Sequence, residues 1–116
     1  MASTTPSQLV TIQLAASTTT VYTVPSNRRL IITKMTLLNT TGTDRTVDLH
    51  LVAQGDTAVA KNQILNGFVC EANMKSPATV NGAMPHVLNG DGFIAAGADA
   101  ATAVTMVLSG ILVVTG

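Results

Sequence analysis

Residues 85–115 read PHVLNGDGFIAAGADAATAVTMVLSGILVVT, and no other part of the chain constrains its architecture as tightly. From Val104 to Thr115 there is no charge and no proline, and β-branched residues dominate. Such a run predicts a long strand that is buried on both faces. Val104, Met106, Leu108, Leu112 and Val114 share one face of it, and Val107, Ile111 and Val113 share the other. The first set is the more uniformly apolar and is expected to enter the domain core. The second set is diluted by Thr105, Ser109 and Thr115. It is expected to face a neighbouring subunit or a covering segment, which makes Val107, Ile111 and Val113 the assembly interface read from the sequence. Gly110 marks a bulge or a close backbone approach. Asn89-Gly90-Asp91-Gly92 predicts a tight type I′ hairpin turn between Val87-Leu88 and Phe93-Ile94.

Upstream, the pattern is of short alternating strands parted by turn residues. Val10, Ile12 and Leu14 alternate with polar neighbours, and Thr18 to Val24 form a second strand that ends at the Pro25-Ser26-Asn27 turn. Arg29 to Asn39 is apolar on both faces and is expected in the middle of a sheet. Asn39 to Arg45 is a hairpin loop. Val47, Leu49 and Leu51 then alternate with Thr46, Asp48 and His50, the clearest one-sided strand. Ala58 to Ala60 are placed in a helical turn. Ile64 to Ala72 contains Asn66-Gly67, which signals a hairpin or a bulge, and Asn73 to Gly82 is read as loop. Ala95 to Ala103 offers the only helical candidate, and Gly97 weakens it. The expectation is all-β: a single antiparallel β-sandwich or jelly-roll-like domain of about eight strands over residues 9–116. Residues 1–8 precede it as a flexible N-terminal arm.

The composition narrows the function. The chain of 116 residues fits one domain, and apolar residues make up 47% of it. Charged residues are only 10% and the formal net charge is +0, so the surface is neutral and poorly defended against association. Self-assembly is therefore expected ahead of any chemistry. The six basic residues are dispersed apart from Arg28-Arg29, and aromatics are 3% of the chain. That argues against nucleic acid, which needs clustered cations or stacking platforms, and against most sugar-binding surfaces. The apolar run near the C-terminus is shorter than a membrane span and is interrupted by Ser109 and Gly110. The N-terminus lacks the basic start and apolar core of a signal peptide. The single cysteine cannot form an internal disulfide. Synthesis in the cytoplasm is the simplest account.

Catalytic and metal signals are missing where they would be sought. His50 and His86 do not sit in a spacing that places two ligands on one metal, and both are read as solvated or interfacial. Cys70 has no neighbouring base and is read as a buried small apolar residue. No GxSxG elbow and no GxxxxGK loop occurs. The NGDG stretch lacks the alternate acids and the closing Glu of an EF-hand calcium loop. No catalytic residue, cofactor or metal is assigned, and the protein is not expected to be an enzyme.

Four motifs carry a family resemblance: Val24-Pro25, Asn39 to Gly42 (NTTG), Leu88 to Gly92 (LNGDG) and Val104 to Gly110 (VTMVLSG). Their order, from Thr18 onward, resembles small virion structural proteins of tailed bacteriophages. The resemblance implies a non-enzymatic sandwich that assembles on a phage particle, often as a homotrimer. The function expected from it is capsid decoration or cementing, in contact with the major capsid protein or another virion protein. A tail, collar or fibre-attachment adaptor, a receptor-binding surface module and a cellular sandwich without a viral role are the alternatives.

Overall fold

The computed structural model describes residues 7–83 and 86–114. Within them the chain is all-β, built from nine strands. These are β1 (Ser7–Gln13), β2 (Thr19–Thr23), β3 (Arg28–Asn39), β4 (Arg45–Val52), β5 (Gln63–Cys70), β6 (Ala78–Thr79), β7 (Val87–Asn89), β8 (Phe93–Ala98) and β9 (Val104–Val114). Two antiparallel sheets pack face to face. One is five-stranded, in the order β1-β9-β3-β6, with β7 on the same edge of β3 as β6; the other is four-stranded, in the order β2-β8-β4-β5. The chain passes from one sheet to the other after β1, β2, β3, β5, β7 and β8, so most pairings are distant in sequence.

The core lies between the sheets. Leu30, Ile32, Met35, Leu37, Val104, Met106 and Leu108 reach it from the five-stranded sheet, and Val47, Leu49, Cys70, Ile94 and Ala96 meet them from the other. Burying a side chain of this size contributes roughly 1.5–3 kcal/mol. The core face expected of the terminal strand is this one: Val104, Met106 and Leu108 are fully buried and Leu112 packs against them. Val114, at the end of the sheet opposite Arg28, is only half-buried.

The strand differs from expectation on its other side. Thr105, Val107, Ser109, Ile111 and Val113 are half-buried, not buried, because the second sheet covers one face only. The apolar excess of β3 has a related cause. Strict alternation would split its large side chains between faces, but the register with β9 shifts between Ile32 and Lys34. This bulge resets the phase, so Leu30 and Ile32 before it and Met35 and Leu37 after it all point inward. Gly110 lies opposite Ile32 at that point, and a Cβ there would sit 2.7 Å from the Ile31 carbonyl oxygen.

Several turns also differ. Strand β1 begins at Ser7, so Ser7 and Gln8 belong to the sheet; the rest of the expected arm lies outside the described residues. The NGDG segment joins strands of different sheets and is not a hairpin. Of its two central residues Asp91 alone has a positive φ, whereas a type I′ turn needs both. It forms a corner, held by Asp91 N–H donating to the Val24 carbonyl (2.9 Å) and Val24 N–H donating to Gly92 (2.8 Å). Asn66-Gly67 forms a bulge within β5, where Gly67 N–H donates to the Asp48 carboxylate at 2.8 Å. The segment read as loop over Asn73 to Gly82 contains β6 and the start of a 3₁₀ turn at Asn81–Ala83. The Ala-rich stretch supplies β8, where Gly97 leaves room for the β1–β2 turn to cross at Ser17.

Candidate functional site

Directly opposed residues of antiparallel strands share a face, so the register gives the outer surface of the five-stranded sheet. Ile31 pairs with both Ile111 on β9 and Val87 on β7. These three form an apolar row across three strands, facing away from the core. The next row is Asn89, Arg29 and Val113. Beyond the bulge come Lys34 opposite Ser109, and then Thr36 opposite Val107. Val87 is 50% exposed, while Ile31, Val107, Ile111 and Val113 are half-buried by their neighbours in the sheet. Val107, Ile111 and Val113 thus share the face expected of them. Val107 stands among threonines, with Thr11 on one side and Thr36 on the other, so the apolar centre is at Ile31 and Ile111.

Ile31 and Val87 were missed as partners of Ile111. The bulge in β3 hid the outward direction of Ile31, and the pairing of β7 with β3 is a long-range register that no local pattern carries. Arg29 also lies on this face, its Nε donating to Asn89 Oδ1 at 3.2 Å.

The four-stranded sheet treats its outer face differently. His50 lies there between the core residues Leu49 and Leu51, yet it is only 7% exposed. Its Nδ1 is 2.9 Å from Asn62 Oδ1 and 3.1 Å from the Val59 carbonyl. The amide of Asn62 is oriented by Val59 N–H, which donates to Oδ1, and by the Thr57 carbonyl, which accepts from Nδ2. Both neighbours of His50 Nδ1 are therefore acceptors, and the proton sits on Nδ1. The reading of His50 as solvated or interfacial is corrected: it anchors the connection containing the 3₁₀ turn Ala60–Asn62 over its own sheet. Val52 and Ala95, on the same face, are buried as well.

The remaining candidates stand apart. His86 is exposed and lines an open cleft of about 350 Å³ at one end of the sandwich, with Leu51, Lys61, Ile64 and Leu88. Its carbonyl accepts from Ile32 N–H at 3.0 Å. Cys70 is fully buried in the core, and burial pushes its thiol pKa up. Among the described residues no three His, Cys, Asp or Glu side chains converge as a metal site would require.

The NTTG motif has a structural role. Asn39 is fully buried, and its Nδ2 donates to the carbonyls of Cys70 (2.9 Å), Thr43 (2.9 Å) and Glu71 (3.1 Å). Its Oδ1 accepts from Thr41 N–H and from the Thr41 hydroxyl. One amide thus fastens the β3–β4 loop to the chain leaving β5.

No protein-family model matches the chain, and no curated protein or solved structure matches it.

Proposed function

We propose that this protein is a non-enzymatic virion structural protein, a capsid decoration or cement protein that oligomerises and stabilises the head of a tailed bacteriophage. One observation carries the reading. The row Val87–Ile31–Ile111 lies on an open sheet face, whereas on the other sheet the outward apolar side chains Val52 and Ala95 are buried, beside the segment anchored by His50. A monomer gains nothing from leaving its most apolar strand pair half-exposed, whereas an assembly buries it. The low charge of the surface and the resemblance of the four motifs to phage virion proteins support the same reading.

A jelly-roll path belongs to this proposal. It is supported by the orders β1-β9-β3-β6/β7 and β2-β8-β4-β5, in which the chain alternates between sheets and the terminal strands meet. So does a homotrimer in contact with the major capsid protein. The experiment is quantitative mass spectrometry of purified particles, paired with light scattering of the isolated protein. A copy number on the scale of the head's capsomers, and an oligomer in solution, are expected. A copy number on the scale of the tail would move the protein to an adaptor role. Absence from particles would overturn the proposal.

A further inference from the structure

The charges of this molecule are segregated by surface. Arg29 and Lys34 lie on the outer face of the five-stranded sheet, flanking Ile31 and Ile111. None of the six Asp and Glu side chains occupies that face: they lie on β4 (Asp48), in loops (Asp44, Asp56, Glu71, Asp99) and in the NGDG corner (Asp91). Among the described residues the ion pairs are Arg45–Asp99 and Lys61–Asp56, so neither cation of the face has a carboxylate partner.

The complementary charge gathers at one end of the sandwich. There Asp44 Oδ1 accepts from Ala72 N–H at 2.8 Å, next to Glu71, and Asp99 N–H donates to the Thr46 carbonyl. Asp44, Glu71 and Asp99 are all exposed. Against Arg45 and Lys75 they leave this end net negative, with Asp44 and Glu71 outside any ion pair among the described residues. Val69, 53% exposed and two residues from Glu71, supplies an apolar side chain beside them.

We propose that copies of this chain associate head to tail, the outer face of the five-stranded sheet of one copy seating on the Asp44–Glu71 end of the next. This rests on the assembly reading above and adds its geometry. A two-fold pairing of the face with itself would bring four cations together with no carboxylate between them, and like charges across an interface are strongly disfavoured. The head-to-tail contact instead sets Arg29 and Lys34 against Asp44 and Glu71, and Ile31 and Ile111 against Val69. On the outer face of the other sheet Val52 and Ala95 are buried beside the connection anchored by His50, and Val69, paired with Thr46, stays open next to the acidic end.

Two charge-reversed proteins test this. Arg29→Glu/Lys34→Glu removes the face, and Asp44→Lys/Glu71→Lys removes the end. Each alone is expected to weaken self-association about tenfold or more, with circular dichroism and urea midpoints near those of the parent. In an equimolar mixture the intact face meets the intact end, and the reversed face meets the reversed end with their charges again opposite, so light scattering should find association restored toward that of the parent. Added salt should weaken the parent oligomer. If the parent assembles and Ile111→Asp dissolves it while Asp44→Lys/Glu71→Lys assembles normally, the head-to-tail geometry is overturned and the assembly reading stands. A parent that stays monomeric at high micromolar concentration overturns both.

Discussion

Ile31 of β3 stands directly across from Ile111 of β9, and both side chains point away from the core. One residue away, Leu30 and Leu112 are opposed in the same way and point into it. The two pairs separate what holds the domain together from what it offers to a partner. Ile111→Asp is therefore expected to cost only about 1–2 kcal/mol of stability, as a half-buried position. It should weaken self-association by more than about tenfold, because a charge would enter the apolar centre of a contact. Size-exclusion chromatography with light scattering reads the second effect. An unchanged oligomer removes Ile111 from the interface, and loss of folding places it in the core.

Asn39 gives the sharpest stability prediction. Asn39→Ala leaves the carbonyls of Thr43, Cys70 and Glu71 without their shared donor, at a cost of about 3 kcal/mol. Asn39→Asp should be at least as damaging near neutral pH, since a carboxylate would face three carbonyl oxygens. Urea unfolding of both variants checks the order.

The strand pattern exposes which features a sequence encodes locally. Alternation in Val47-Asp48-Leu49 and the apolar run of β9 are properties of neighbouring residues, and they led directly to the all-β architecture and the core face. The NTTG and NGDG turns were visible as punctuation, but their partners were not. Asp91 meets Val24 and Ser26, and Asn39 meets Cys70, through contacts spanning tens of residues. His50 was misjudged for the same reason: alternation placed it correctly on the outer face of β4, but nothing local announced the segment that covers it. The bulge between Ile32 and Lys34 is the most instructive case, because a single extra residue made a one-sided strand look two-sided.

Thr102 offers a stabilising change. Its φ of 58° lies in the left-handed region, which a β-branched residue enters at a cost. Thr102→Gly removes that strain and gives part of it back as unfolded-state entropy, for a net gain of about 0.5–1 kcal/mol. A rise in the urea midpoint is expected. A fall would show that the Thr102 side chain contributes more than its backbone loses.

Cys70 links stability to alkaline pH. Burial raises its thiol pKa, so folding favours the protonated form. The contribution is complete below the unfolded value of about 8.5 and disappears as pH rises through the folded value. Tyr22, also raised by burial, acts with the same sign at higher pH. Stability should decline on the alkaline side, less steeply in Cys70→Ala, and iodoacetamide should label the native thiol far more slowly than the urea-unfolded one. Equal labelling rates would mean that the strand carrying Cys70 opens readily.

The place of β9 between β1 and β3 has a consequence for how the chain is made. Strand β9 leaves the ribosome after β1 to β8, and it is the one that joins β1 to β3, so the five-stranded sheet cannot close during synthesis of the earlier strands. Until then β1 and β3 wait with unpaired edges, the state most open to pairing with another nascent chain. Closure of such distant pairings is slow, on a scale of milliseconds to seconds. Yield in the cell is then set less by final stability than by how long those edges stay open, and truncation before Val104 should produce aggregates in place of a smaller domain.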